Sequence, residues 1–284
     1  MNLPPLLLTI RSVLAAIAML ILVWAALLHP RRQHPGLESL RKYRYAHRGY
    51  HDKPAIPENS MAAFRRAAEH GFGVELDVHL TRDGRLAVIH DASLQRTCGV
   101  EKIVEDLTVE ELKQFPLEGT DERIPLLEEV LPVFQGIAPV IVELKPLRGN
   151  HAALAAVAMA CLDRFETEYC VESFDPRCIT WLKKNRPDVI RGQLSENFMK
   201  STTTTLPWPL KFVASNLMFV PVNHPDFIAY RYQDRNMAAN RIACRLWGTA
   251  SVSWTVRSRE EMTIAEQEGS MVIFEHFDPN SGQN

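Results

Sequence analysis

Four short polar clusters interrupt otherwise apolar runs: His47-Arg48-Gly49, Glu75-Leu76-Asp77, His90-Asp91 and Glu143-Leu144-Lys145. Each lies at or near the end of a stretch that reads as a buried strand, namely YRYAHRG, GVELDVHL, RLAVIHD and APVIVELKP. Burying ionisable groups without partners is costly. These groups are best accommodated if they converge on one another, on a metal and on a charged ligand. Glu75 and Asp77 are two residues apart on a strand and so share a face, and Glu143 offers a third carboxylate. An all-oxygen set of this kind suits Ca²⁺ or Mg²⁺ and is poor for zinc. Taken alone, the carboxylates could equally form salt bridges with Arg48 and Lys145.

His47 and His90 shift that balance. Imidazole titrates near neutrality and can donate or accept a proton, as acid–base catalysis requires. Arg48 can meet a phosphate through two parallel hydrogen bonds, and Lys145 can act on it as a point charge. Two histidines, a hard cation and two basic side chains together suggest phosphodiester cleavage, with the cation neutralising developing charge.

The surrounding elements must bring these groups together. Helices are expected at about 60–70, 151–164, 176–185 and 259–268, alternating with strand-like runs that continue through YCVESFD, VIRGQLS, SVSWTVRS and SMVIFEHF. Glu58-Asn59-Ser60 offers capping side chains ahead of the first of these helices, and Glu58 itself is read as a cap rather than as support behind the metal ligands. Asp83-Gly84 marks a tight turn. Residues 92–137 break the rhythm and read as an insertion, and 196–250 is poorly patterned. Alternation of strand and helix argues for a parallel sheet covered by helices. Seven or eight strands favour a closed α/β architecture, the (β/α)8 or TIM barrel, whose active sites lie at the carboxyl ends of the strands. The polar clusters fall at those ends.

The 284 residues are 46% hydrophobic and 23% charged, with a net charge of −2, ordinary values for a globular protein. No basic run stands out, which argues against nucleic acid as a partner. The five cysteines show no CxxC spacing and read as reduced thiols. Ser12 to Leu28 carries no charge and reaches the lower limit for a bilayer span, roughly 17 residues. A cleaved signal peptide is the competing reading. The apolar stretch is long for one, and no clear A-x-A site follows it. The expected organisation is a membrane anchor at 1–30, a polar linker at 31–42 and the barrel at 43–284. Arg31, Arg32, Arg41, Lys42 and Arg44 follow the anchor and Arg11 alone precedes its apolar core, so the positive-inside bias puts the barrel in the cytoplasm.

At the chemistry-bearing residues the sequence resembles the glycerophosphodiester phosphodiesterase family. The resemblance runs from HRG at 47–49 and PENS at 57–60 through E-x-D-V at 75–78, T-x-D-G at 81–84 and HD at 90–91. It continues with E-L-K at 143–145, Ser-Phe-Asp at 173–175 and Trp254-Thr255-Val256, covering about residues 43–279. It implies a TIM barrel with an insertion after the HD strand, and a divalent metal, Ca²⁺ or Mg²⁺, on Glu75, Asp77 and Glu143. It further implies His47 and His90 as the acid–base pair, Arg48 and Lys145 on the phosphate, and Trp254 lining the glycerol pocket. The implied reaction releases glycerol 3-phosphate and an alcohol from a glycerophosphodiester. Two positions depart from the pattern: Glu172 stands where the family more often has Gln, and Glu275-His276 where many members have Thr-Asp. An anchored enzyme could instead act on a lysolipid or phosphoinositide in the manner of a phospholipase D, and a non-catalytic tethered barrel is a third reading that the presence of both histidines disfavours.

Overall fold

A computed structural model describes residues 5–29, 34–202 and 204–281. The described residues include nine strands: β1 Tyr45–His47, β2 Gly73–Leu80, β3 Leu86–Val88, β4 Val140–Leu144, β5 Tyr169–Ser173, β6 Arg191–Ser195, β7 Phe227–Arg231, β8 Ala250–Val256 and β9 Ser270–Phe274. All but β3 pair in parallel with their neighbours, and β1 pairs with both β2 and β9, so eight strands close into a (β/α)8 barrel.

Two assignments change. RLAVIHD is not a barrel stave: β3 runs antiparallel to the end of β2, Val78 opposite Val88, as the return arm of a hairpin through Asp83-Gly84. The eighth stave is β7, inside the region 196–250 that lacks clear patterning. The insertion accordingly runs from the hairpin to about residue 126. The helix Leu127–Phe134 buries Leu127, Val130, Leu131 and Phe134 in the core behind the sheet and is the helix between β2 and β4.

Period-two alternation decides what enters the barrel. On β2, Val74, Leu76 and Val78 pack outward against the helices, which leaves Glu75 and Asp77 facing in. On β4, Val140, Val142 and Leu144 pack outward, and Ile141 and Glu143 face in. Tyr45, Ile141, Cys170, Phe227, Val252 and Ile273 form the apolar interior below the polar layer, with Leu37 and Leu40 packed into the same cluster. The stretch read as a linker thus contains, in its described part, a short helix Leu37–Leu40 whose leucines are buried against the barrel; Arg31 and Arg32 lie outside the described residues. Gly192 is required by this packing, because a Cβ there would overlap the Phe227 ring.

The covering helices start as their sequences suggest. Ser60, Asp175 and Ser258 accept hydrogen bonds from Ala63, Arg177 and Glu261 backbone N–H groups and cap helices Met61–Glu69, Pro176–Asn185 and Arg259–Gln267. The cap of the first is therefore Ser60, not Glu58.

The amino-terminal helix spans Pro5–Leu27, and its segment Thr9–Leu27 is long and apolar enough to cross a membrane. Its end is docked on the barrel. Leu28 is fully buried among Leu217, Val220, Ile228 and Tyr230, Trp24 Nε1 donates to the Asn216 carbonyl at 3.2 Å, and Trp247 Nε1 donates to the Ala25 carbonyl at 2.7 Å.

Gly192→Ala should destabilise the fold by about 1–3 kcal/mol through overpacking against Phe227. Adding Phe227→Leu should recover part of that loss, so denaturant unfolding of the double variant will be non-additive. Additive single effects would show that the two positions do not press on each other.

Candidate active site

The His-Arg-Gly corner after β1 sets the first groups. Arg48 and Gly49 both adopt left-handed backbone, φ 55° and 81°, and a Cβ on Gly49 would sit 2.8 Å from that of Ala63. The turn directs the Arg48 backbone N–H to Glu75 Oε2 at 3.3 Å and its guanidinium to Glu58 Oε1 at 2.8 Å, with Nε 3.6 Å from Asp77 Oδ2.

Glu75, Asp77 and Glu143 each offer an oxygen lying within 4.8 Å of those of the other two, and all three residues are buried. Asp77 and Glu143 are directly opposite in the β2–β4 register, as His47 and Glu75 are in β1–β2. Lys145 Nζ lies 2.8 Å from Glu143 Oε2 and 3.1 Å from Asp77 Oδ1. Asn59 Nδ2 donates to Asp77 Oδ2 at 3.0 Å. Burial opposes charge on every carboxylate here, yet the Lys145 ammonium and Arg48 hold Asp77 well below the usual range. At Glu75 burial and the Asp77, Glu143 and Glu172 charges outweigh the opposing charge of Arg48 and push it well above. Glu143 Oε1 is buried without a hydrogen bond. A hard divalent cation fits this donor set: clustered buried oxygens, Asp77 Oδ1 and Glu143 Oε1 among them without a hydrogen bond, and three carboxyl groups against the two cations Lys145 and Arg48.

Both histidines are held at Nδ1 by a carboxylate. His47 Nδ1 is 2.6 Å from Glu275 Oε2, and its Nε2 lies 3.9 Å from Glu75 Oε2. His90 Nδ1 is 2.6 Å from Asp91 Oδ1, whose Oδ2 accepts from Arg96 Nε at 2.5 Å. Burial lowers both imidazole pKa values, and the Asp77 charge counteracts it in each, so both rings sense the same centre. A carboxylate on Nδ1 orients the ring and leaves Nε2 for proton transfer. Glu275 is itself shielded, but the His47 hydrogen bond and the Arg257 charge overcome burial and keep it well below the ordinary range.

The structure brings every expected site residue to the carboxyl end of the barrel, although His90 arrives on the inserted hairpin. Trp254 stands half-buried there, edge-on to Phe174 at 5.4 Å, with Nε1 donating to the Ala229 carbonyl at 3.1 Å. Phe174 also packs on Phe198 at 5.9 Å and lies under Lys145 Nζ at 5.8 Å. Glu58, Asn59, Asp91, Arg96 and Glu275 are supports to which the sequence gives no role in the site, Glu58 reading there as a cap. Glu58 is buried between Arg48, Lys53 and Arg96, 2.6–2.8 Å from each. Its signal was the placing of an acid just ahead of Ser60, which already supplies the cap.

The model of the glycerophosphoryl diester phosphodiesterase family matches residues 47–277. The chain belongs to this family. Its relatives include a glycerophosphodiester phosphodiesterase of Caldanaerobacter subterraneus subsp. tengcongensis, 32% identical over 231 residues, 76% of this chain and 86% of that one. A glycerophosphodiester phosphodiesterase of Bacillus altitudinis is 52% identical over 94 residues, a stretch spanning 31% of this chain and only 38% of that relative's length. An Oleispira antarctica phosphodiesterase, solved in complex with the product sn-glycerol-3-phosphate, shares the fold at TM-score 0.68 and 21% identity over 82% of this chain and 92% of that one.

Two outcomes follow from these contacts. Glu58, whose pKa is depressed because its cation partners outweigh burial, contributes stability that is present above the ordinary carboxylate value of about 4.3 and lost as pH falls toward its folded value. Glu58→Gln should therefore be less stable at neutral pH and show a shallower acid decline, read by urea unfolding across that range; an unchanged pH profile would contradict the pairing. Glu275→Gln removes a charge that raises the His47 pKa, so the His47 ring should titrate at lower pH in NMR spectra. An unmoved resonance would show that Glu275 is not its partner.

Proposed function

We propose that the chain hydrolyses glycerophosphodiesters to glycerol 3-phosphate and an alcohol, with His47 and His90 moving protons. The observation that supports this most is two imidazoles, each held at Nδ1 by its own carboxylate, flanking one buried carboxylate cluster. Glu75, Asp77 and Glu143 would hold Ca²⁺ or Mg²⁺, which when bound supplies Lewis-acid stabilisation of charge developing on the phosphoryl oxygens. Arg48 and Lys145 add fixed positive charge for the phosphate, and Trp254 and Phe174 present an apolar wall to the glycerol.

In the proposed reaction one histidine takes the proton from the glycerol 2-hydroxyl as its oxygen attacks phosphorus. The other protonates the departing alcohol. Water then opens the cyclic phosphate with the two roles exchanged. An internal nucleophile already in place lowers the entropic part of the barrier. Restraint of His47 by Glu275 and of His90 by Asp91 keeps each ring in line through both steps.

Thr9–Leu27 is proposed to anchor the barrel in a membrane. Leu28 buried in the barrel, together with the hydrogen bonds at Trp24 and Ala25, supports a helix retained as part of the fold over one removed as a signal. The basic residues after it favour the cytoplasmic side. A tethered site also makes amphiphilic substrates such as lysolipids a second reading of the leaving alcohol.

The test is divalent-ion-dependent release of alcohol from a glycerophosphodiester and from its 2-deoxy analogue. The parent should turn over and the analogue should not. His47→Ala and His90→Ala should each cost roughly 10²–10⁴-fold in rate. Equal turnover of the two substrates would replace the cyclic route with direct attack by water.

A further inference from the structure

We infer that the barrel itself rests on the bilayer, through an apolar surface formed by residues 206–222 and 246–247 on either side of the docked amino-terminal helix. This rests on the reading that Thr9–Leu27 spans a membrane. Large side chains exposed in these two segments include Trp208, Leu210, Phe212, Val222, Leu246 and Trp247, with Trp208 and Leu246 each 66% exposed. Trp208 stacks on Phe212 at 6.1 Å, so the aromatic pair stands on the surface of the Trp208–Ser215 helix and not in the core. Contiguous exposed apolar surface of this kind marks a contact with a partner or a membrane.

Position identifies the partner as lipid. The Trp24–Asn216 hydrogen bond fixes the first segment against the end of the membrane helix, and the Trp247–Ala25 hydrogen bond fixes the second. The 23-residue helix is about 34 Å long at roughly 1.5 Å per residue. That length crosses a hydrocarbon core of about 30 Å, so Trp24 to Leu28 lie at its boundary. The flanking segments therefore lie at headgroup level, where tryptophan is the favoured side chain. Charge agrees with this placement. Residues 197–225 contain Lys200 and Lys211 and no acidic residue, and residues 235–249 contain Arg235, Arg241 and Arg245 and none either. A surface that is apolar and basic in this way matches an anionic leaflet.

The same surface reaches the active site. Phe198 packs on Phe174, which packs on Trp254, and the chain continues from Phe198 to Leu206 and Trp208. The wall of the pocket and the membrane-facing helix are thus joined by one loop.

The test uses the full-length chain in phosphatidylcholine–phosphatidylglycerol vesicles, with Cys98 and Cys244 changed to serine. An environment-sensitive fluorophore is placed in turn on Phe212→Cys, Leu246→Cys, Leu20→Cys and Ile137→Cys. Ile137 is exposed and lies just ahead of β4, on the far side of the barrel from β7. Nitroxide-labelled lipids should quench the labels at 212 and 246 severalfold more than the one at 137, with blue-shifted emission. If those two behave like 137 while the label at 20 is quenched, the helix spans and the barrel stands clear of the bilayer, which overturns the inference alone. An unquenched label at 20 overturns the anchor and the surface together. Labels at 212 and 246 shielded from both lipid and aqueous quenchers would assign the patch to a second copy of the chain and overturn the bilayer contact.

Discussion

Glu75, Asp77, Glu143 and Glu172 all face into the upper part of one parallel barrel, and like charges buried at that spacing repel strongly. The rest of the site manages this repulsion. Lys145 and Asn59 stabilise Asp77 as the anion, while burial and neighbouring charge push Glu75 and Glu172 toward the neutral acid. A cation bound by the first three would displace the proton from Glu75, which couples affinity to pH. Glu172 illustrates the economy of the arrangement. Burial and the Glu143 charge push it toward the neutral acid, so a fourth carboxyl group sits in this layer without a fourth full negative charge.

Around this layer the supporting contacts are long in sequence and short in space. His47 meets Glu275 across 228 residues, and Arg96 reaches Glu58 across 38. Glu58 links Arg48, Lys53 and Arg96, and Arg96 in turn holds Asp91 and thereby His90. The inserted hairpin is consequently tied to the first barrel strand through ion pairs centred on the buried Glu58, with Arg96 and Asp91 partly exposed. Removing Arg48 would leave the buried Glu58 carboxylate with less compensation, which costs more than the pair itself contributes.

The amino-terminal helix enters the architecture in a similar way. Its last turn ends with Leu28 in the cluster that covers β7, and the following short helix puts Leu37 and Leu40 against the barrel interior. The amino-terminal helix and the short helix after it are thus each tied to the barrel by buried leucines, in two separate clusters on opposite faces of β7.

Local sequence sufficed for whatever depends on local period and local chemistry. The alternation in GVELDVHL and APVIVELKP sends Glu75, Asp77 and Glu143 to one face, and Ser60, Asp175 and Ser258 start their helices by hydrogen bonds within three residues. The HRG, E-x-D and HD clusters carried the site for the same reason: residue type and spacing already specify the chemistry. Closure of the barrel decided the remainder. RLAVIHD and FIAYR are both short apolar runs, and nothing within either says which is a stave. The first is turned back by the Asp83-Gly84 turn, and the second fills the gap between β6 and β8. Glu58 and Glu275 could not be assigned from their neighbours in sequence, because a buried carboxylate takes its role from the cations and rings that distant strands bring within hydrogen-bonding distance.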